Sequence, residues 1–246
     1  MYLRGFNANV RGFFLKVIYH KKVKKTDLPT DATAEVYTSC VEIIDVKAHA
    51  DMLLREINNT SWIAELNPIA KMSYEKTAYR TIARLVEIFK SVDNSISSDF
   101  GEFMISMSSG HCLQENHKHK VFPLSELWKE KVSNNHGFDF HTLSPENKLS
   151  FGESKFSSTN NSYNSSAEQV LRFAKEGKDE IDAVHLMHFC KPIAIENLRK
   201  GRKGFVVAFS INSEDHKTIL NNSLENEHIL ELVTCCDELF IVGVKA

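Results

Sequence analysis

The stretch "GFDFHTLSPENKLSFGESKF", residues 137–156, decides how the chain is read. Phe138, Phe140, Phe151 and Phe156 mark a buried segment, yet Asp139, Glu153 and Lys155 keep charge inside it. Charged side chains are almost never fully buried unless they are paired or bind a metal. The stretch reads as a hairpin, and two registers are open. Pairing Leu143 with Lys148 leaves a four-residue loop, sets Asp139 opposite Gly152 and turns Glu153 and Lys155 to the other face. Pairing Leu143 with Leu149 leaves a five-residue loop, Ser144 to Lys148. Asp139 then faces Glu153, His141 faces Phe151, and Gly137 faces Lys155. Both loop lengths are allowed. The apolar pair favours the second, because a one-residue slip puts mismatched faces together.

In that register Asp139 and Glu153 leave the sheet about 5 Å apart at Cβ, where like charges destabilise a sheet. A divalent cation between them removes the conflict, since Mg²⁺ takes carboxylate oxygens at roughly 2.0–2.1 Å. Lys155, one step along the same face, can steady a water or offset charge developing on a phosphorus. Gly137 and Gly152 leave room for a substrate backbone. The plainer reading is a hairpin whose ends carry solvated charges. The aromatic flanks, the shared face and the following helix favour a metal site.

The rest of the chain sets the frame. Its 246 residues carry a net charge of −2, so no global pull toward nucleic acid or an anionic membrane is evident. No apolar run approaches a membrane span. Arg4 and Arg11 interrupt the N-terminal apolar run, which is not read as a signal peptide. Five cysteines without a C-x-x-C pair point to free thiols in a reducing cytoplasm.

The first ninety-five residues read as an α+β region: two strands, "RGFFLKVIYHKKV" and "AEVYTSCVEIIDV", then helices. Pro68 opens a long helix whose buried stripe is read as Met72, Tyr79, Ile82, Val86 and Phe89. A new helix starts at "DFGEFMISM", and a loop with His111, His117 and His119 runs to Pro123. "LSELWKEKV" reads as a short helix before the hairpin. "SAEQVLRFAKEGK" is amphipathic, with Ala167, Val170, Leu171 and Ala174 on one face. Helices near 180–190 and 192–200, a strand at 204–212, helix over 215–234 and a last strand "ELFIVGVKA" follow. From residue 96 this order predicts an α/β core with a mixed sheet flanked by helices.

Several residues have two readings. Glu102 follows Asp99 at capping-box spacing, so it is either a helix cap or a further acid. His117-x-His119 lacks recognisable third and fourth zinc ligands, and a solvated loop is the better reading. His141 is an acid-base candidate or an ordinary strand-end histidine. Arg199, Lys200, Arg202 and Lys203 are the better of two basic runs for gripping phosphate, although charge runs are usually solvated faces. Gln169 follows on the next helix and reads as a surface residue.

D…(D/E)-x-K on adjacent strands followed by a helix resembles the PD-(D/E)-x-K nuclease superfamily. "FGEFM", "GFDFH" and "FGESKF", followed by an amphipathic helix, look like the nuclease subunit of the Hachiman anti-phage defence system. The resemblance covers roughly residues 96–245; residues 1–95 carry no matching motif, and Phe138 stands where the superfamily signature has Pro. It implies a restriction-endonuclease-like core at 96–246 and a Mg²⁺-dependent DNase, with Mn²⁺ as a second candidate metal. It further implies a cytoplasmic effector held by a partner helicase, with residues 1–95 in part of that contact. Asp139, Glu153 and Glu102 would be metal ligands and Lys155 the catalytic lysine. The alternatives are a catalytically inactive nuclease-fold adaptor or nucleic-acid-binding module, and an RNase.

Overall fold

The β-branched and aromatic runs form seven strands: β1 (Leu15–Lys22), β2 (Glu35–Ile43), β3 (Lys120–Val121), β4 (Phe140–Leu143), β5 (Leu149–Lys155), β6 (Lys203–Ser210) and β7 (Glu238–Lys245). The computed structural model describes residues 14–90, 97–129 and 137–246. The strands make one sheet in the order β1-β2-β7-β6-β5-β4-β3. β2, β7, β6 and β5 run parallel, while β1 and the β4–β3 side pair antiparallel. The protein is therefore a mixed α/β fold. Parallel neighbours need crossovers of a dozen or more residues, usually helical. Here α5 (Tyr163–Lys175), α6 (Lys178–Leu186) and α7 (Pro192–Arg199) link β5 to β6, and α8 (His216–Leu224) and α9 (Glu227–Leu232) link β6 to β7. The division drawn at residue 95 does not separate two sheets, because β2 pairs with β7 from Glu35↔Glu238 to Glu42↔Lys245.

The other helices are α1 (Val46–Asn58), the short α2 (Ser61–Ala64), α3 (Pro68–Lys90) and α4 (Ser98–His117). α4 is buried along most of its length and covers one face of the sheet, where the Ser106 hydroxyl donates to that of Ser154 at 2.9 Å. α5 covers the opposite face, where Phe173 meets Phe138 edge-on and Phe138 packs on Phe151 and Phe205. The hairpin adopts the five-residue loop: Leu143 pairs with Leu149 and His141 with Phe151.

Three local readings change. The histidine "loop" is largely helix: His111 and His117 lie on α4, and His119, just beyond it, is buried. "LSELWKEKV" contributes a 3₁₀ turn, Ser125–Leu127, and its residues beyond Lys129 lie outside the described residues. So do residues 1–13 and the interruption at 91–96. On α3 the buried stripe is Ala70, Tyr74, Thr77, Ala78, Ile82, Leu85 and Phe89, while Met72 and Tyr79 are exposed. Tyr74 goes inside because its hydroxyl finds Nδ1 of His185 on α6 at 2.8 Å; a buried phenol needs such a partner.

This face assignment predicts that Tyr74→Ala costs about 3 kcal/mol or more, with Tyr79→Ala within about 0.5 kcal/mol of wild type. Urea denaturation of the two variants checks it; equal losses would mean that the stripe lies elsewhere.

Candidate active site

The site begins with unequal strand lengths. The β4–β5 ladder ends at Phe140↔Gly152, but β5 continues through Glu153, Ser154 and Lys155. The Ser144 N–H donates to the Lys148 carbonyl at the hairpin end, which fixes the even-numbered N–H groups of β5 as those facing β4. Ser154 is the next of these, and no β4 residue stands opposite. Asp139 fills the gap. Its N–H donates to the Gly152 carbonyl at 2.9 Å, and its Oδ2 accepts the Ser154 N–H at 3.0 Å. The Asp139–Glu153 pair expected from the register is not part of the ladder, which stops one pair short; Asp139 sits in a bend, bonded to the residues on either side of Glu153.

Glu153 is 2% exposed, and its Oε2 has no hydrogen-bond partner. Its Oε1 lies 3.5 Å from the Lys155 ammonium, which also reaches Glu102 Oε1 on α4 at 3.4 Å. Because β4 stops short, β5 has no β4 partner from Glu153 onward, and a side chain from α4 can meet one from the sheet there. α4 approaches closely because Gly101 has no Cβ: the Phe156 ring occupies that space. Ser97, rather than Asp99, caps α4 by accepting the Phe100 N–H at 3.3 Å. Glu102 does not close a capping box; it turns to Lys155.

Electrostatics follow from this crowding. Burial, then the neighbouring Asp139, pushes the Glu153 pKa well above the carboxylate range. Burial pushes Asp139 up to about 6, with Glu102 and Glu126 adding to the rise against the Ser154 hydrogen bond and Lys155. Burial works against the Lys155 ammonium, but Glu153, Glu102 and Asp139 outweigh it and raise its pKa.

Asp139 and Glu102 also line a pocket of about 70 Å³ with Asp99, Glu126, Arg84 and Ser106. Glu126 and Arg84, 3.6 Å apart, were not found by sequence reasoning. One lies in a 3₁₀ turn and the other on the outer side of a helix, and no motif spacing links either to the hairpin.

Among the described residues, no group of three or more His, Cys, Asp or Glu side chains could hold a metal ion by itself. Among these residues no closed zinc site is formed. Two carboxylates with an orphaned buried oxygen do fit Mg²⁺, which keeps several waters and takes one or two carboxylates plus substrate phosphate.

Other candidates fall away from the site. His117 packs against Tyr37 and Phe240, and His119 Nδ1 meets the Thr142 hydroxyl at 2.8 Å. Burial lowers their pKa values to about 4 and about 3. His141 is fully buried and bonded to Asp182, so it is no solvent-facing acid or base. Gln169 is half-buried on α5.

The basic run is not brought to the site. Lys203 starts β6, whereas Lys155 pairs with Phe209 six positions later, about 20 Å along the strand. Lys203 pairs with buried Asp179 at 2.5 Å, and Arg202 lies 3.8 Å from Asp237. Arg199 and Lys200 are exposed at that far end. All five cysteines are free. No helix among the described residues is long and apolar enough to cross a membrane. No protein-family model matches the chain, and no curated protein matches it significantly.

Folding raises the Asp139 pKa from 3.8 to about 6, so the folded chain retains a proton that the unfolded chain releases. That stabilisation is complete below the unfolded value and is lost as pH rises through the folded one. Metal-free Asp139→Asn, blind to this titration, is expected to gain ~2 kcal/mol on wild type between about pH 4 and 7. Denaturant titrations across that range test this; a constant gap would contradict the raised pKa.

Proposed function

We propose that this chain is a Mg²⁺-dependent nuclease that hydrolyses DNA phosphodiesters. The observation that carries the reading is the buried Glu153 carboxylate, with one oxygen unpartnered, set beside Asp139 and within 3.5 Å of Lys155. Asp179 and Glu238 also leave a buried oxygen unpartnered, so the orphaned oxygen counts here together with the second acid, Asp139, that bears on Glu153.

Asp139 and Glu153 would hold the cation, with Glu102 at hand across Lys155. When bound, the cation supplies a water of lowered pKa and charge compensation for the phosphate. The protein does the rest. The Ser154 N–H fixes one oxygen of Asp139 and so aims the other. Lys155, held between Glu153 and Glu102, keeps its charge and offers donors to the attacked phosphate as negative charge builds there. Lys155 and Glu102 are the partly exposed members of the group, so a phosphate would approach from their side. The D…E-x-K hairpin in a mixed sheet flanked by helices supports a restriction-endonuclease-like core. The motif resemblance supports a cytoplasmic defence effector acting with a helicase. DNA, rather than RNA, rests on that resemblance.

Wild type with Mg²⁺ is expected to cleave plasmid or linear DNA, alone or with its helicase, and EDTA is expected to stop it. Lys155→Ala should reduce the rate ~10²-fold or more. Equal cleavage by both proteins would sink the assignment, and preferential digestion of RNA run in parallel would move it to an RNase. Mg²⁺ binding by the isolated chain without turnover on any nucleic acid, with or without the helicase, would favour an adaptor.

A further inference from the structure

Behind the hairpin lies a second charged cluster. The Lys129 ammonium sits 2.5 Å from Asp182 Oδ1, and Asp182 Oδ2 meets His141 Nε2 at 2.8 Å. His141 is fully buried and Asp182 is 2% exposed. Lys129 also donates to the Phe138 carbonyl at 3.4 Å. The cluster therefore grips the chain on both sides of Asp139: at the main chain of the preceding residue and at a side chain two residues on. Gly137 extends the contact, since a Cβ there would run into Asp182 and Lys129. Asp182 comes from α6, on the crossover from β5, and Lys129 from the segment before β4. Two elements outside the hairpin thus converge on its first strand.

Nothing in the packing requires charge at this place. His141 is walled by Phe138, Phe151 and Trp128, and an apolar side chain would fill the space. Buried ion pairs seldom stabilise more than well-packed apolar groups of similar volume. What they do supply is directional, fixed geometry.

We infer that Lys129, Asp182 and His141 are positioning residues, which hold the bend at Asp139 so that its carboxylate meets both the Ser154 N–H and the metal. None touches the proposed substrate. This rests on the metal-site reading above, and it predicts two separable effects.

Asp182→Asn leaves Lys129 without its anion and weakens the grip on residues 137–141. Hydrogen–deuterium exchange in a peptide spanning those residues should rise at least tenfold, and the Mg²⁺ concentration for half-saturation, read by calorimetry, should rise at least tenfold. Cleavage at saturating Mg²⁺ should recover much of the wild-type rate. Lys129→Arg should retain wild-type Mg²⁺ binding, whereas Lys129→Met should resemble Asp182→Asn; this pair carries the test if Asp182→Asn does not fold. Asp179→Asn is the control. It breaks the equally buried Lys203–Asp179 pair at the far end of the sheet and should lower stability with no change in Mg²⁺ affinity. Unchanged exchange at 137–141 in both Asp182→Asn and Lys129→Met would overturn the inference whatever the metal does. Faster exchange in a chain whose wild type binds no Mg²⁺ would keep the positioning role and remove the metal reading instead.

Discussion

One unsatisfied N–H organises this part of the molecule. β5 runs past the end of β4, and the buried Ser154 amide, on the edge that β4 leaves unpaired, needs an acceptor. A buried N–H without a partner costs about as much as a lost hydrogen bond. Had β4 continued, a main-chain carbonyl would have met it. The strand instead bends at Asp139, and a carboxylate takes the place of the carbonyl. That substitution puts a charge where a sheet ordinarily has none. The second acid, Glu153, is adjacent in the same strand, so the two cannot avoid each other.

The surrounding elements can be read as responses to that choice. α4 comes close at Gly101 and brings Glu102 to the open edge, against Lys155. α5 closes the other face with Phe173 and holds β5 through the Ser166 hydroxyl, which donates to the Glu153 carbonyl at 3.0 Å. α6 supplies Asp182. Three helices, one before the hairpin and two after it, thus meet around Phe138, His141, Glu153 and Lys155. The parallel crossovers make this convergence possible, because they return α5 and α6 to the sheet beside the strand that they leave.

The hairpin was legible because its information is local. Period-two alternation and the Leu143–Leu149 pair specify register within twenty residues, and register decides which charges share a face. Six of the seven strands and most helices were legible for the same reason; β3, two residues long, falls in the stretch read as a loop. The failures involve longer range. Met72 and Tyr79 have helical spacing with Ile82, but the choice of buried face on α3 was made by Tyr74 and His185, 111 residues apart. "HCLQENHKHK" looks polar enough for a loop. It is helical to His117 and buried as far as Leu113, where His111 meets Glu56 of α1, a partner that the sequence does not point to. The Lys129–Asp182–His141 cluster joins three segments and has no spacing signature at all.

Charge balance bears on the proposed cation. Among the described residues, Asp139, Glu153, Glu102 and Glu126 are the acids that bear on one another there. Arg84 is engaged with Glu126, and Lys129 with Asp182. Lys155 is left facing three carboxylates. In water such a surplus would be screened, but Glu153 is closed off from water and one of its oxygens has no partner. The chain has two ways to relieve the excess. It can take up protons, which is what the raised Asp139 and Glu153 pKa values express, or it can take up a cation. A divalent ion matches the surplus in sign and approximate size, and it competes with protons for the same oxygens. On the proposed reading a cation and protons would compete for the same oxygens, and the raised pKa values themselves follow first from burial and then from the neighbouring acids.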